Sequence, residues 1–154
     1  MSLASELIEK MSSLGKMIAS AESCTGGMVT AALTDIPGSS AVVERGFVTY
    51  TNAAKTELLG VKPDTLAAHG AVSEEVAAEM ARGALAASHA QIAISVTGIA
   101  GPGGSDHKPE GRVCFGLADG SQVRTETVEF GALGRDKVRR AARDHALRLI
   151  LSAL

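Results

Sequence analysis

The apolar positions of this chain switch repeatedly between the spacing of a helix and that of a strand. From Ser2 to Leu14 they fall at Leu3, Leu7, Ile8, Met11 and Leu14, one face of a helix. Lys16 to Ala21 is short, mostly apolar and bounded by Gly15, the pattern of a buried strand. Met28 to Leu33 has good helix formers and stops near Pro37-Gly38, which with Ser39 and Ser40 forms a loop. Val42 to Tyr50 is rich in β-branched and aromatic residues and predicts a strand. Asn52 is placed to cap a short helix running to Leu59 and closed by Gly60, and a further short element runs from Lys62 to His69-Gly70. Ser73-Glu74-Glu75-Val76 opens an Ala-rich helix to about Ser88, and Gln91 to Thr97 is a continuous apolar strand of the central type. After a glycine-rich loop from Gly98 to Gly111, Val113–Leu117 and Gln122–Phe130 flank Asp119-Gly120, a hairpin signal. Asp136 to Leu154 closes the chain as a helix with Val138, Ala142, Ala146, Leu149 and Ile150 on its apolar side.

Helices alternating with strands, followed by an antiparallel pair, predict an α/β fold. The expected form is a three-layer α/β/α sandwich on a mixed sheet of about five strands. With 154 residues and no repeat or linker, residues 1–154 read as one domain. Apolar residues make up 45% but aromatics only 3%, so the core must be built from Ala, Val, Ile and Leu. A net charge of −2 gives no general basic field for nucleic acid; the lone basic cluster is Arg135, Lys137, Arg139, Arg140 and Arg143. Cys24 and Cys114 do not make a disulfide framework. Met1 to Lys10 carries Glu6 and Glu9 and no apolar core of a signal peptide, and no apolar run approaches the ~20 residues that span a bilayer. A soluble, cytoplasmic protein is expected, and an Ala-rich compact chain with exposed apolar surface is expected to form a homo-oligomer.

The chemistry centres on Ala21-Glu22-Ser23-Cys24-Thr25-Gly26-Gly27, where a strand turns into a helix. Unpaired N–H groups at the start of that helix favour negative charge, a phosphate or a developing oxyanion. Ser23, Cys24 and Thr25 bring three nucleophilic or hydrogen-bonding groups there, although a Ser or Thr before an apolar run is more often a plain cap, contributing about 1 kcal/mol. The glycine loop fails the known phosphate-binding rules: Gly104 stands where a P-loop needs Lys, and Asp106 where a dinucleotide fingerprint needs its third Gly. His69, His89, His107 and His145 show no metal-ligand spacing with the cysteines, and Asp106-His107 alone is a weak metal signal. What remains are polar groups at strand ends: Ser23, Tyr50 with Asn52 and Lys55 beyond it, and Thr97 opening the glycine loop. In parallel α/β sheets such ends share one edge, where ligands gather. A serine there needs a base, and a lysine desolvated enough to be neutral can serve, with Tyr50 relaying or orienting the proton. On spacing alone, a surface lysine on a short helix is the favoured reading of Lys55.

Five boxes in order carry a resemblance. Ala21–Gly27, Tyr50-x-Asn52-x-x-Lys55, Gly70-Ala71-Val72-Ser73, Thr97–Gly104 and Lys108-Pro109-x-Gly111-x-Val113 together resemble the C-terminal domain family of the competence/damage-inducible protein CinA, from about Ser5 to the end of the chain. Stand-alone members of that family are nicotinamide-nucleotide amidases, and the absence here of CinA's separate molybdopterin-binding-like module makes this the expected single-domain form. The resemblance implies hydrolysis of nicotinamide mononucleotide (NMN) to nicotinate mononucleotide and ammonia, with Ser23 as nucleophile, Lys55 as base and Tyr50 close by. It requires no cofactor and no metal. N–H groups around Thr25, Gly26 and Gly27 are expected to hold the oxyanion. Cys24, Asn52, Thr97, Gly98, Gly101 and Gly103 are expected to shape the substrate pocket. The phosphate is assigned to backbone N–H groups or to Arg139, in a segment Arg135-x-x-x-Arg139 that resembles the family's C-terminal arginines. Cys24 remains an internal competitor to Ser23, since a thiol at a helix start can be activated. The alternative reading is a non-catalytic nucleotide-binding or regulatory module linked to competence or DNA damage.

Overall fold

A computed structural model describes Met1–Leu154 throughout. Its sheet has the order β2-β1-β3-β4-β5, with β1 Ile18–Glu22, β2 Val43–Val48, β3 Ile92–Gly98, β4 Arg112–Asp119 and β5 Gln122–Glu129. β1 pairs in parallel with both β2 and β3, and β3–β4 and β4–β5 are antiparallel, so the sheet is mixed as expected. The hairpin is closed by the two residues Gly120 and Ser121, between the facing pair Asp119 and Gln122.

Six helices surround it: α1 Leu3–Leu14, α2 Met28–Thr34, α3 Asn52–Leu59, α4 Pro63–His69, α5 Glu74–Ala86 and α6 Arg135–Ser152. Local chemistry sets their starts. Ser2, Thr51 and Ser73 each accept a hydrogen bond from the N–H three residues on, capping α1, α3 and α5. The cap of α3 is therefore Thr51, and Asn52 is its first helical residue, because the threonine's extended backbone lets its hydroxyl turn back onto Ala54 N at 3.1 Å. Residues 39–41 of the expected loop form one 3-10 turn.

The two sheet faces differ in side-chain size, and this difference sets the depth of each helix layer. Ile18, Ile92, Ile94, Val96, Phe115 and Leu117 pack with α1, α2 and α6. The opposite face carries Ala19, Ala21, Ala93 and Ala118 beneath Val76, Met80, Ala81 and Ala84 of α5. Small residues let α5 lie almost on the strands: Ser95 Oγ donates to the Ala77 carbonyl at 2.6 Å, and a Cβ on Gly116 would come within 2.5 Å of the same oxygen. An α5 seated this deep also supports α3, which brings Lys55 to the sheet edge.

Candidate active site

The parallel register puts the carboxyl ends of β1, β2 and β3 side by side. The ladder continues past the strands, with Ser23 N donating to Val96 O at 2.9 Å and Thr49 N donating to Glu22 O at 2.8 Å. Ser23 is thereby wedged between its neighbours with its position fixed by backbone. Lys55, one turn into α3, points back to this edge: its Nζ lies 3.2 Å from Ser23 Oγ, although the two residues are 32 apart in sequence. The same Nζ donates to the Tyr50 carbonyl at 3.2 Å. Both side chains are buried, Lys55 at 1% exposure and Ser23 at 8%. Burial holds the Lys55 amine below the ordinary lysine value, partly offset by the neighbouring Cys24. A buried, more easily neutralised amine against a hydroxyl is the geometry that a general base and a nucleophile require.

Cys24 has the opposite character. Burial pushes its thiol up to about 12, only partly opposed by its own backbone N–H, and the Glu22 carboxylate pushes the same way. A thiol held that high is a poor thiolate at neutral pH.

A cavity of about 350 Å³ opens beside the pair, within the size range of small-molecule sites. Its wall comes from Ser23 and Cys24, from Tyr50, Asn52 and Lys55, from Ala71 and Val72, and from the loop Thr97 to Asp106 with Lys108 and Arg135. That loop is tied down at several points. Lys108 Nζ donates to the carbonyls of His69 at 2.6 Å and Val72 at 2.5 Å, and Thr97 Oγ1 donates to Ala71 O at 2.8 Å. The Glu110 carboxylate accepts from Gly103 N at 2.7 Å and Gly134 N at 3.0 Å, joining the loop to the start of α6. A larger groove of about 860 Å³ lies between α5 and the β4–β5 hairpin. It is lined by Glu74, Glu75, Glu79 and Glu129, and its only thiol, Cys114, is raised by burial. No three His, Cys, Asp or Glu side chains gather as a metal-binding group, and no helix is long and apolar enough to cross a membrane.

The family model described as the CinA C-terminal domain matches residues 1–154. The chain belongs to the CinA C-terminal domain family. It is 48% identical over 151 residues to the nicotinamide-nucleotide amidohydrolase PncC of Escherichia coli K12, covering 97% of this chain and 92% of that protein. It is 53% identical over 146 residues to a CinA-like protein of Chlorobium phaeobacteroides BS1, where 91% of this chain corresponds to 34% of the relative, so the chain spans about a third of that protein. Among solved structures, competence/damage inducible protein CihA from Agrobacterium tumefaciens superimposes with a TM-score of 0.94 at 48% identity, covering 97% of this chain and 92% of that one.

Within this CinA C-terminal domain, Ser23, Cys24, Tyr50, Asn52, Lys55, Thr97, Gly98, Gly101 and Gly103 all line the one cavity. Three expectations need correction. Tyr50 does not reach the Ser23–Lys55 pair with its phenol. The strand alternation buries Thr49 and turns Tyr50 outward at 58% exposure, so its hydroxyl accepts from Arg135 at 2.7 Å while only its carbonyl holds Lys55. The N–H groups of Gly26 and Gly27 are not free for a ligand: Gly26 N donates to Ser23 O, and Gly27 N to the carboxylate of Glu22. Glu22, at 1% exposure, also accepts from Thr25 Oγ1, Val29 N, Thr30 N and Thr30 Oγ1, so the start of α2 already holds an anion of its own. Finally, Arg139 and Thr25 lie off the cavity wall. Arg139 donates to the carbonyls of Cys24 and Thr25, and the arginine on the wall is Arg135, one turn earlier. Sequence reasoning missed Arg135, Lys108 and Glu22 as organisers of the site, although all three stand in segments already singled out.

Proposed function

We propose that this chain is an amidohydrolase that releases ammonia from the carboxamide of a nicotinamide nucleotide, with NMN as substrate. The observation that carries it is the buried Lys55 amine 3.2 Å from Ser23 Oγ at the mouth of a cavity sized for a nucleotide. The relative named nicotinamide-nucleotide amidohydrolase, aligned over nearly its whole length, supports the substrate class. In the proposed reaction, neutral Lys55 takes the Ser23 proton while its N–H to the Tyr50 carbonyl fixes the lone pair toward the hydroxyl. Ser23 Oγ bonds to the amide carbon, and the carbonyl oxygen becomes an oxyanion. Collapse breaks the C–N bond as Lys55-NH3⁺ protonates the departing nitrogen, giving ammonia and an acyl-serine. Lys55, neutral again, takes a proton from water as its oxygen bonds to the ester carbon; collapse breaks the C–Oγ bond, Lys55-NH3⁺ returns the proton to Ser23 Oγ, and the nicotinate product leaves. Lys108 and Arg135 are the cations on the cavity wall that suit the substrate phosphate.

Purified protein incubated with NMN, with ammonia and nicotinate mononucleotide quantified, tests this directly. Ser23→Ala and Lys55→Met are expected to abolish turnover, and Cys24→Ala to keep most of it. Binding of NMN without any ammonia release by the unmodified protein would instead leave a nucleotide-binding module. Loss of turnover in Cys24→Ala with retention in Ser23→Ala would move the nucleophile.

A further inference from the structure

The turn from Ser23 to Gly27 is gripped by two charged side chains from opposite sides, and counting its backbone groups shows what is left for chemistry. The Glu22 carboxylate takes the N–H groups of Gly27, Val29 and Thr30. Ser23 N, Gly26 N and Met28 N donate to Val96 O, Ser23 O and Thr25 O. Two N–H groups in the turn donate to no other residue: that of Cys24, which faces only its own thiol, and that of Thr25. They directly follow the proposed nucleophile, and Cys24 is on the cavity wall. In a strand-to-helix elbow the N–H after the nucleophile is the one placed to meet an oxyanion.

The carbonyls of the same turn are held from behind. Arg139 Nε donates to Cys24 O at 3.0 Å and its Nη2 to Thr25 O at 3.3 Å. The peptide is planar and trans, so a carbonyl pinned on one side aims its partner N–H to the other. The partner of Cys24 C=O is the buried Thr25 N–H, so the guanidinium's grip on the Cys24 and Thr25 carbonyls sets the peptide planes behind Cys24 and holds that residue's own N–H at the cavity wall. The approach is close enough to constrain the sequence: Gly26 has φ +58°, and a Cβ there would sit 3.2 Å from Arg139 Nη2.

Resting on the amidase reading above, we propose that Arg139 is a positioning residue that holds the Cys24 and Thr25 carbonyls so that the Cys24 N–H, on the cavity wall, stays placed to receive the oxyanion formed on Ser23 attack. It does not touch the substrate. The family resemblance implies backbone N–H groups or Arg139 as the phosphate ligand, and the two roles of Arg139 predict different kinetics. A phosphate ligand acts on substrate binding and only when a phosphate is present. An oxyanion-positioning residue acts on the chemical step of every amide the enzyme accepts.

The test compares the unmodified enzyme with Arg139→Ala and Arg139→Lys, on NMN and on nicotinamide riboside, which has the same amide and no phosphate. Thermal melts check that each variant is folded. Arg139→Ala is expected to lose roughly 100-fold in kcat with KM for NMN within about twofold, in line with losing an oxyanion donor. The same fractional loss is expected on the riboside, and guanidinium ion well below its unfolding range is expected to restore kcat. Arg139→Lys keeps the charge without the fork and is expected to fall between the two; it carries the test if the alanine variant does not fold. A raised KM for NMN with kcat preserved, or an effect confined to NMN, would overturn the proposal and return Arg139 to the phosphate. Failure of the unmodified enzyme to release ammonia would defeat the amidase reading itself, an outcome visible before any variant is compared.

Discussion

Lys55 is fully enclosed, and its protonation should govern both turnover and stability. Burial holds it below the ordinary lysine value of roughly 10.4, so the folded protein binds fewer protons than the unfolded chain at pH values between the two. Stability therefore rises with pH across that window, and the penalty for enclosing the cation is fully present below it. Lys55→Met is expected to melt higher than the unmodified protein on the acid side, with the advantage shrinking as pH rises toward the unfolded lysine value. A constant difference in melting temperature across pH would show that the amine is not desolvated. In the active protein, the acid limb of kcat/KM should follow the same group, with an apparent pKa below the ordinary lysine value. Lys55→Arg, which cannot lose its proton, should have no measurable turnover. A second residue-scale prediction concerns Thr49, whose buried hydroxyl lacks a partner. An unpaired buried hydroxyl costs roughly 1–3 kcal/mol, so Thr49→Val should raise the melting temperature. A lower one would mean that the hydroxyl does have a partner.

At the scale of elements, the site depends on how closely α5 and α3 meet. A Cβ on Gly83 of α5 would lie 1.8 Å from the Leu59 carbonyl oxygen at the end of α3. Two effects oppose each other in Gly83→Ala: helix propensity favours alanine by about 1 kcal/mol, whereas overpacking costs about 1–3 kcal/mol. A 1.8 Å overlap with backbone cannot be relieved by a rotamer change, so the second should win. Gly83→Ala is expected to lower stability and, by shifting α3 and Lys55, to lower kcat as well; a variant at least as stable as the parent would refute the contact. The elements themselves were legible in the sequence because local signals mark them: Ser73 before Glu74-Glu75, Gly60 after Leu59, Asp119-Gly120 between two β-rich runs. What was not legible depends on contacts across the fold. Glu22 reads as the polar end of an apolar run, and nothing local says that its carboxylate turns onto the start of α2. Thr51 and Asn52 are both good caps, and only the backbone path decides between them. Likewise Arg135 and Arg139 are one helical turn apart, so spacing puts both on the same face without saying which reaches the cavity.

Taken as a whole, the molecule separates its charges. It has 15 Lys and Arg against 17 Asp and Glu, yet the cavity wall presents the cations Lys108 and Arg135 beside the desolvated Lys55, with Asp106 as its only carboxylate. The broader groove on the α5 and β4–β5 side is lined by Glu74, Glu75, Glu79 and Glu129 with Arg82 and Arg112. An anionic substrate is thus drawn to one opening and disfavoured at the other, a field that is strongest at low salt. Arg135 is the cation with freedom to engage a phosphate: it is exposed, and its present partners are the neutral Gly101 carbonyl at 2.7 Å and Tyr50 hydroxyl at 2.7 Å. A charge-assisted hydrogen bond contributes about 1.5–3 kcal/mol, so Arg135→Ala should raise KM for NMN roughly 10- to 100-fold with a smaller change in kcat. The same substitution should leave KM for nicotinamide riboside nearly unchanged, and the NMN effect should weaken as salt is added. An equal loss on both substrates would assign Arg135 to holding the Gly101 loop and Tyr50 in place, with the phosphate falling to Lys108. Because Arg135 should act on KM and Arg139 on kcat, the pair one turn apart on α6 divides substrate capture from chemistry, and the double variant should show the two losses multiplied, since the partners of the two guanidiniums are not shared.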